Sequence, residues 1–214
     1  MNTIEQRTES WFAQRLGKAT ASRINDVMAR LKSGGEAASR RNYRAQLVCE
    51  RLTGKKEESF CNSAMQWGID NEEPARLAYE FMLDHDVATV GFIDHPTIAM
   101  TGASPDGHIN ADGMIEVKCP NTANHIDWML EGNPPTEHQN QMLWQMECAG
   151  RSWCDFVSYD PRLPAELQLF VVRFHRDEER ILTIRNEVAV FLSEVDATVT
   201  RLKMLTANKL QKAA

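Results

Sequence analysis

Ser104-Pro105-Asp106-Gly107, followed by Met114-Ile115-Glu116-Val117-Lys118, is the stretch on which the fold and the chemistry turn. Gly107 to Asn110 and Met114 to Lys118 read as short strands. Ala111-Asp112-Gly113 between them is a hairpin signal. Side chains alternate along a strand, so Glu116 and Lys118 share one face and Ile115 and Val117 point to the other, where they read as core. Asp106 stands at the start of the neighbouring strand, with nine residues between it and Glu116. A hairpin therefore brings two carboxylates and an ammonium together, and the expectation is that they meet at one edge of a sheet.

That grouping suits hydrolysis of a phosphodiester. Hard oxygen ligands select Mg²⁺, or Mn²⁺ in its place. A bound divalent ion acidifies a water and offsets charge on phosphorus. Lys118 can position or deprotonate the attacking water, and the Val117 carbonyl is a further oxygen ligand. A bare Glu-x-Lys triplet is commonly a surface salt bridge. The Pro-Asp pair at hairpin distance and the apolar residues on the opposite face argue for more than that.

Outward from this hairpin the chain alternates helical and strand patterns. Ser10 to Leu16 reads as a helix start, and Thr20 or Ser22 opens a helix to about Leu31; Ser10, Thr20 and Ser22 are candidate N-caps. Arg40 to Thr53 is helical and closed by Gly54. Ser63 to about Leu83 is helical, with Pro74 marking a kink or a second start. Val87 to Ile93 and Ile98 to Thr101 read as strands. Thr136 to Ala149 is a helix stopped by Gly150. Trp153 to Tyr159 and Leu167 to Phe174 are strands, and Asp177 caps a long helix to about Leu205. The pattern implies a single α/β domain with a central mixed sheet flanked by helices. Its parts are a basic helical stretch (1–60), a core (61–175) and a C-terminal helix (176–207).

The 214 residues suffice for one well-buried core. No apolar run is long enough to span a bilayer, and the first residues lack the apolar stretch of a secretory signal, so a cytoplasmic protein is expected. The five cysteines are odd in number and none form a Cys-x-x-Cys pair, which argues against a disulfide framework or a zinc knuckle. The net charge of −6 is unevenly spread: Arg7 to Lys56 holds 12 Lys and Arg against 4 Asp and Glu, a net of +8, leaving −14 elsewhere. The basic part is either a phosphate-contacting surface or a solvated helical face.

These residues resemble the PD-(D/E)-x-K nuclease core as it occurs in the lambda-exonuclease and YqaJ-type viral recombinase family. Ser-Pro-Asp-Gly followed by Glu-Val-Lys-Cys-Pro carries the core. Trp11-Phe12-Ala13-Gln14-Arg15-Leu16-Gly17 with Thr20-Ala21-Ser22 is similar to that family's opening. Trp67-Gly68 with Glu72, Gln139-Asn140-Gln141-Met142, and Tyr159-Asp160-Pro161-Arg162 have counterparts in the same order. The resemblance implies a restriction-endonuclease-like fold. It implies metal ligation by Asp106, Glu116, the Val117 carbonyl and Glu72, with two Mg²⁺ per site. Lys118 would act on the water, and Gln141 would orient the site or contact DNA. Arg15 and Ser22 would hold the 5′-phosphate of a double-stranded DNA end. The family's members are homotrimeric rings that digest one strand 5′ to 3′ beside a single-strand annealing protein in phage recombination.

Each carry-over has an ordinary alternative. Glu72 could be a solvated helix residue, Arg15 a salt-bridge partner and Ser22 a helix cap. Gln139 and Gln141 are two apart on a helix and face different ways, so only one belongs in the site, and Gln141 is preferred. Trp11 and Trp67 read as core anchors. Two other functions stay open: an endonuclease on the same fold, which would cut a closed circular duplex, and an inactive DNA-end-binding module, which would bind without Mg²⁺-dependent product.

Overall fold

The computed structural model of the protein describes residues 5–56 and 62–213. The expected boundary at 60/61 lies outside the described residues. Five strands form the main sheet: β2 (Val87–Ala88), β5 (Gly107–Ile109), β6 (Gly113–Lys118), β7 (Trp153–Tyr159) and β8 (Leu169–His175), in the order β2-β5-β6-β7-β8. β6 and β7 run parallel and the other neighbours antiparallel, so the sheet is mixed as expected. A smaller sheet joins β1 (Ala19–Thr20), β4 (Thr101–Ala103) and β3 (Ile93–Asp94).

One side of the main sheet carries the larger core. Met114, Cys154 and Phe156 of the sheet meet α6 (Thr136–Ala149), and α2 (Ile24–Met28), α3 (Ala38–Thr53) and α7 (Glu178–Ala213) complete the same cluster. On α7 the buried residues are Ile181, Ile184, Val188, Phe191, Leu192 and Val195. That three-and-four spacing is the stripe that makes an otherwise polar helix pack. The opposite side is covered by α4 (Ser63–Leu83), whose Ala75 and Tyr79 pack on Ile109, Ile115, Val117 and Val157. The sheet is thus buried on both faces.

Several local expectations are corrected. β6 is the central strand of five, so Glu116 sits in the middle of the sheet rather than at its edge. α4 runs unbroken through Pro74. The Val87 to Ile93 run is not one strand: β2 pairs with β5 while β3 pairs with β4, so the chain passes from one sheet to the other. Strand β4 begins only after Met100, which adopts a left-handed φ of 63°. Thr20 and Ser22 cap no helix, since Ala19–Thr20 is a strand and Ala21–Arg23 a 3-10 turn before the short α2. Thr8, not Ser10, caps α1 (Glu9–Arg15), accepting from the Trp11 N–H at 3.3 Å. A helix absent from the sequence reading, α5 (Thr122–Glu131), is capped by Asn121.

Much of the basic N-terminal part is neutralised by carboxylates, most of them on α7. Arg40 and Arg44 pair with Glu194 of α7 and Glu36, Arg51 with Asp196, and Arg30 with Glu187. These arginines hold α7 against the N-terminal helices, which favours the helical-face reading over the phosphate surface. Cys49, Cys119, Cys148 and Cys154 are free thiols. Among the described residues no helix is long and apolar enough to cross a membrane.

Candidate active site

The antiparallel pairing of β5 with β6 sets the site's centre. Gly107 pairs with Ile115, so Asp106 and Glu116, one step beyond on each strand, come to face one another. A Cβ at Gly107 would lie 2.1 Å from the Val87 side chain, and one at Gly113 would lie 2.1 Å from the Trp153 ring, so both positions need glycine for this packing. Asp106 then turns back to accept the Val117 N–H at 2.7 Å.

Glu116 is buried yet fully provided with donors. Its Oε1 accepts from Lys118 Nζ and, at 2.5 Å, from Gln141 Nε2. Its Oε2 accepts from Gln145 Nε2 at 2.6 Å. Gln141 and Gln145 are four apart on α6 and so share a face. Gln139 points away, to the Pro134 carbonyl and Arg180, as the spacing argument required. Gln145 was not singled out in the sequence, although its i+4 relation to Gln141 would have found it.

Glu72, on α4, lines the same cleft and is ion-paired to Arg7. Arg15, at the end of α1, stacks its guanidinium on the Trp11 ring, 4.1 Å from the ring centre, and donates to Ser104 Oγ at 3.0 Å. Trp11 Nε1 donates to the same hydroxyl at 3.0 Å, so Trp11 is both core anchor and site wall. Arg15 therefore has a hydroxyl and an aromatic face as partners. Ser22 lies nearby, with its hydroxyl 3.3 Å from that of Thr20. The cleft, about 600 Å³, is lined by Asp106, Glu116, Val117, Lys118, Glu72, Gln141, Arg15 and Ser22 together. Every residue singled out for the site is in one place.

The electrostatics are those of a cation site. Burial, then the Glu116 and Glu72 charges, push the Asp106 carboxyl well above its ordinary range, against the pull of Lys118 and the Val117 N–H. Burial disfavours the Lys118 ammonium, but Glu116 and Asp106 outweigh it and raise its pKa. In this state Lys118 is a proton donor, not a base. Among the described residues no three acidic, His or Cys side chains stand close enough together to ligate an ion as they are. Lys118 and Arg7 instead supply the positive charge at Glu116 and Glu72. Three carboxylates and a strand-end carbonyl around one cleft are an all-oxygen set, and they fit a hard divalent ion.

A stability prediction follows from Asp106. Its pKa is raised on folding, so its contribution is present below the ordinary value of 3.8 and lost as pH rises through the raised one. At neutral pH without metal, a carboxyl held in a site that resists its ionisation costs the fold stability. Asp106→Asn, melted in EDTA, is expected to gain stability by about 1 kcal/mol, a Tm rise of roughly 2–4 °C at this size, and the gain should shrink at pH 4. An unchanged or lower Tm at pH 8 would refute the assigned strain.

Known proteins resemble this chain in sequence and in fold. The YqaJ-like viral recombinase domain description matches residues 10–152. The alkaline exonuclease LHK-Exo from Laribacter hongkongensis is 51% identical, covering 94% of this chain and 99% of that one with a TM-score of 0.88. The same enzyme in complex with dAMP gives the same figures of 51% and 0.88. A phage-related exonuclease from Haemophilus somnus 129PT shares the fold, with a TM-score of 0.71 at 16% identity over 86% of this chain and 96% of that one. Among curated protein sequences none is significantly similar to this one. The matched family segment runs from the first helix to the start of β7 and includes the whole hairpin, and the chain accordingly belongs to the YqaJ-like viral recombinase family and is a deoxyribonuclease of the alkaline exonuclease kind.

Proposed function

We propose that the protein is a Mg²⁺-dependent exonuclease that degrades one strand of linear double-stranded DNA, 5′ to 3′, from 5′-phosphorylated ends, leaving a 3′ single-stranded tail for recombination by strand annealing. The observation that carries this reading is the single cleft holding the Asp106–Glu116–Lys118 group together with Arg15 and Ser22. Asp106, Glu116, the Val117 carbonyl and Glu72 would hold two Mg²⁺, with Mn²⁺ as a substitute. Bound there, the metal supplies an acidified water and neutralises charge on the phosphate.

The protein's own groups do the rest. Gln141 and Gln145 fix the Glu116 carboxylate, so its orientation is set before substrate arrives. Lys118 donates to the attacking water or to the phosphate oxygen as charge builds. Water oxygen bonds to phosphorus and loses a proton to solvent, the bond from phosphorus to the 3′ oxygen breaks, and that oxygen takes a proton in return. A nucleoside 5′-monophosphate leaves and the shortened strand begins with a fresh 5′-phosphate. LHK-Exo has been solved with dAMP, a molecule of this product class.

Arg15 and Ser22 would receive the terminal phosphate. A guanidinium binds phosphate oxygens through two parallel hydrogen bonds and stays charged, even though burial lowers the pKa of Arg15. Ser104, held by Arg15 and Trp11, joins this pocket. A homotrimeric ring is part of the proposal. In its favour, α4 presents exposed Leu77, Phe81 and Met82 side by side, with Phe81 93% exposed. A single-strand annealing protein is the expected partner, in the cytoplasm, with no membrane.

The test is the initial rate on linear duplex with 5′-phosphate and 5′-hydroxyl ends. Wild type should be at least about tenfold faster on the phosphorylated end, the worth of one charge-assisted hydrogen bond. Arg15→Ala should erase most of that difference while metal binding persists, and Arg15→Lys should restore it in part. Equal wild-type rates, or a preference that survives Arg15→Ala, would remove the pocket. Rapid cutting of a closed circle would favour the endonuclease reading.

A further inference from the structure

Six charged side chains line the cleft: Arg7, Arg15 and Lys118, with Glu72, Asp106 and Glu116. The count is balanced without metal. Divalent ions would leave positive charge in excess, so a protein cation must then find another anion. Lys118 is tied to the buried Glu116, and Arg15 to Ser104 and the Trp11 ring. Arg7 differs. Its ion pair with Glu72 is open to solvent, the side chains being 44% and 32% exposed, and such pairs contribute little.

The backbone holds Arg7 in place over the cleft. Gln6 donates its amide to the Val90 carbonyl at 2.9 Å and to the Pro105 carbonyl, next to Asp106, at 2.8 Å. Thr8 on the other side caps α1. Arg7 between them adopts a left-handed φ of 68°, which a residue with a Cβ adopts only where its surroundings enforce it. A short strap thus fixes a guanidinium at the site while leaving its pairing exchangeable.

We propose that Arg7 is a stand-in cation for the metal site and that, once metal takes Glu72, it transfers to the scissile phosphate. Arg7 is a second phosphate ligand, distinct from the Arg15 pocket for the terminal phosphate. The inference rests on Glu72 being a metal ligand.

Arg7→Gln should then move two affinities in opposite directions. Mn²⁺ alone, titrated calorimetrically, should bind about threefold more tightly, because a competing cation is gone. A 5′-hydroxyl duplex in Ca²⁺ leaves the terminal-phosphate pocket unfilled, and it should bind about tenfold more weakly to Arg7→Gln. Arg7→Lys, which keeps the charge, should lie between wild type and Arg7→Gln in both titrations and guards against a folding artefact. Unchanged Mn²⁺ affinity with Arg7→Gln, or loss of both affinities together, would overturn the proposal. If Glu72→Gln binds Mn²⁺ as well as wild type does, the metal role of Glu72 fails first, and Arg7 as its stand-in fails with it.

Discussion

Glu116→Ala is expected to reduce cleavage by at least about 10⁴-fold, corresponding to roughly 5 kcal/mol of lost transition-state stabilisation. The size of the effect follows from how much converges on this carboxylate. It faces Asp106 across the hairpin and accepts from Lys118, Gln141 and Gln145. Its removal takes away a metal ligand and leaves three donors, Gln145 buried and Lys118 and Gln141 part-buried, without their acceptor. Unlike Asp106→Asn, this substitution should also lower metal-free stability, because the buried Gln145 amide and the part-buried Lys118 ammonium lose their hydrogen-bond acceptor. Glu116→Gln keeps the shape and separates the two effects: the fold should survive while activity stays lost. Near-normal turnover of either variant at saturating Mg²⁺ would show that Glu116 is not a ligand.

Lys118→Ala is the second large effect, a fall of about 10²–10⁴ in single-turnover rate with Mg²⁺ and DNA still bound. The raised pKa matters here. Without metal, the Glu116 and Asp106 charges raise the Lys118 pKa and favour its charged form, which suits donating and offsetting charge. A loss confined to DNA affinity, with the single-turnover rate unchanged, would reduce Lys118 to a phosphate contact.

Much of this site was legible because its geometry is local. Asp106 and Glu116 meet through one hairpin, and alternation places Lys118 on the same face as Glu116. Helix α6 was bounded at Thr136 and Ala149 by its own periodicity and by Gly150. What was hidden depends on contacts distant in sequence. Nothing local shows that Val87 to Ile93 is divided between two sheets, since either half pairs with a strand elsewhere. The ten-residue α5 was hidden because it lies between Pro120 and Pro134, where the chain reads as loop. The positive N-terminal part looked like a DNA surface until α7 supplied Glu187, Glu194 and Asp196. Arg7 reaches Glu72 only because Gln6 is anchored to loops about 84 and 99 residues away in sequence.

Metal-dependent 5′ to 3′ digestion is tested most directly by product analysis on a linear duplex with one 5′-phosphorylated end and an internally labelled strand, in Mg²⁺ and in EDTA. Nucleoside 5′-monophosphates should be released stepwise from the 5′-phosphorylated strand, leaving an intact complementary strand with a growing 3′ tail, with no product in EDTA and no cutting of a closed circular duplex under the same conditions. Internal fragments from the circle, mononucleotides from the 3′ end, or product in EDTA would contradict it.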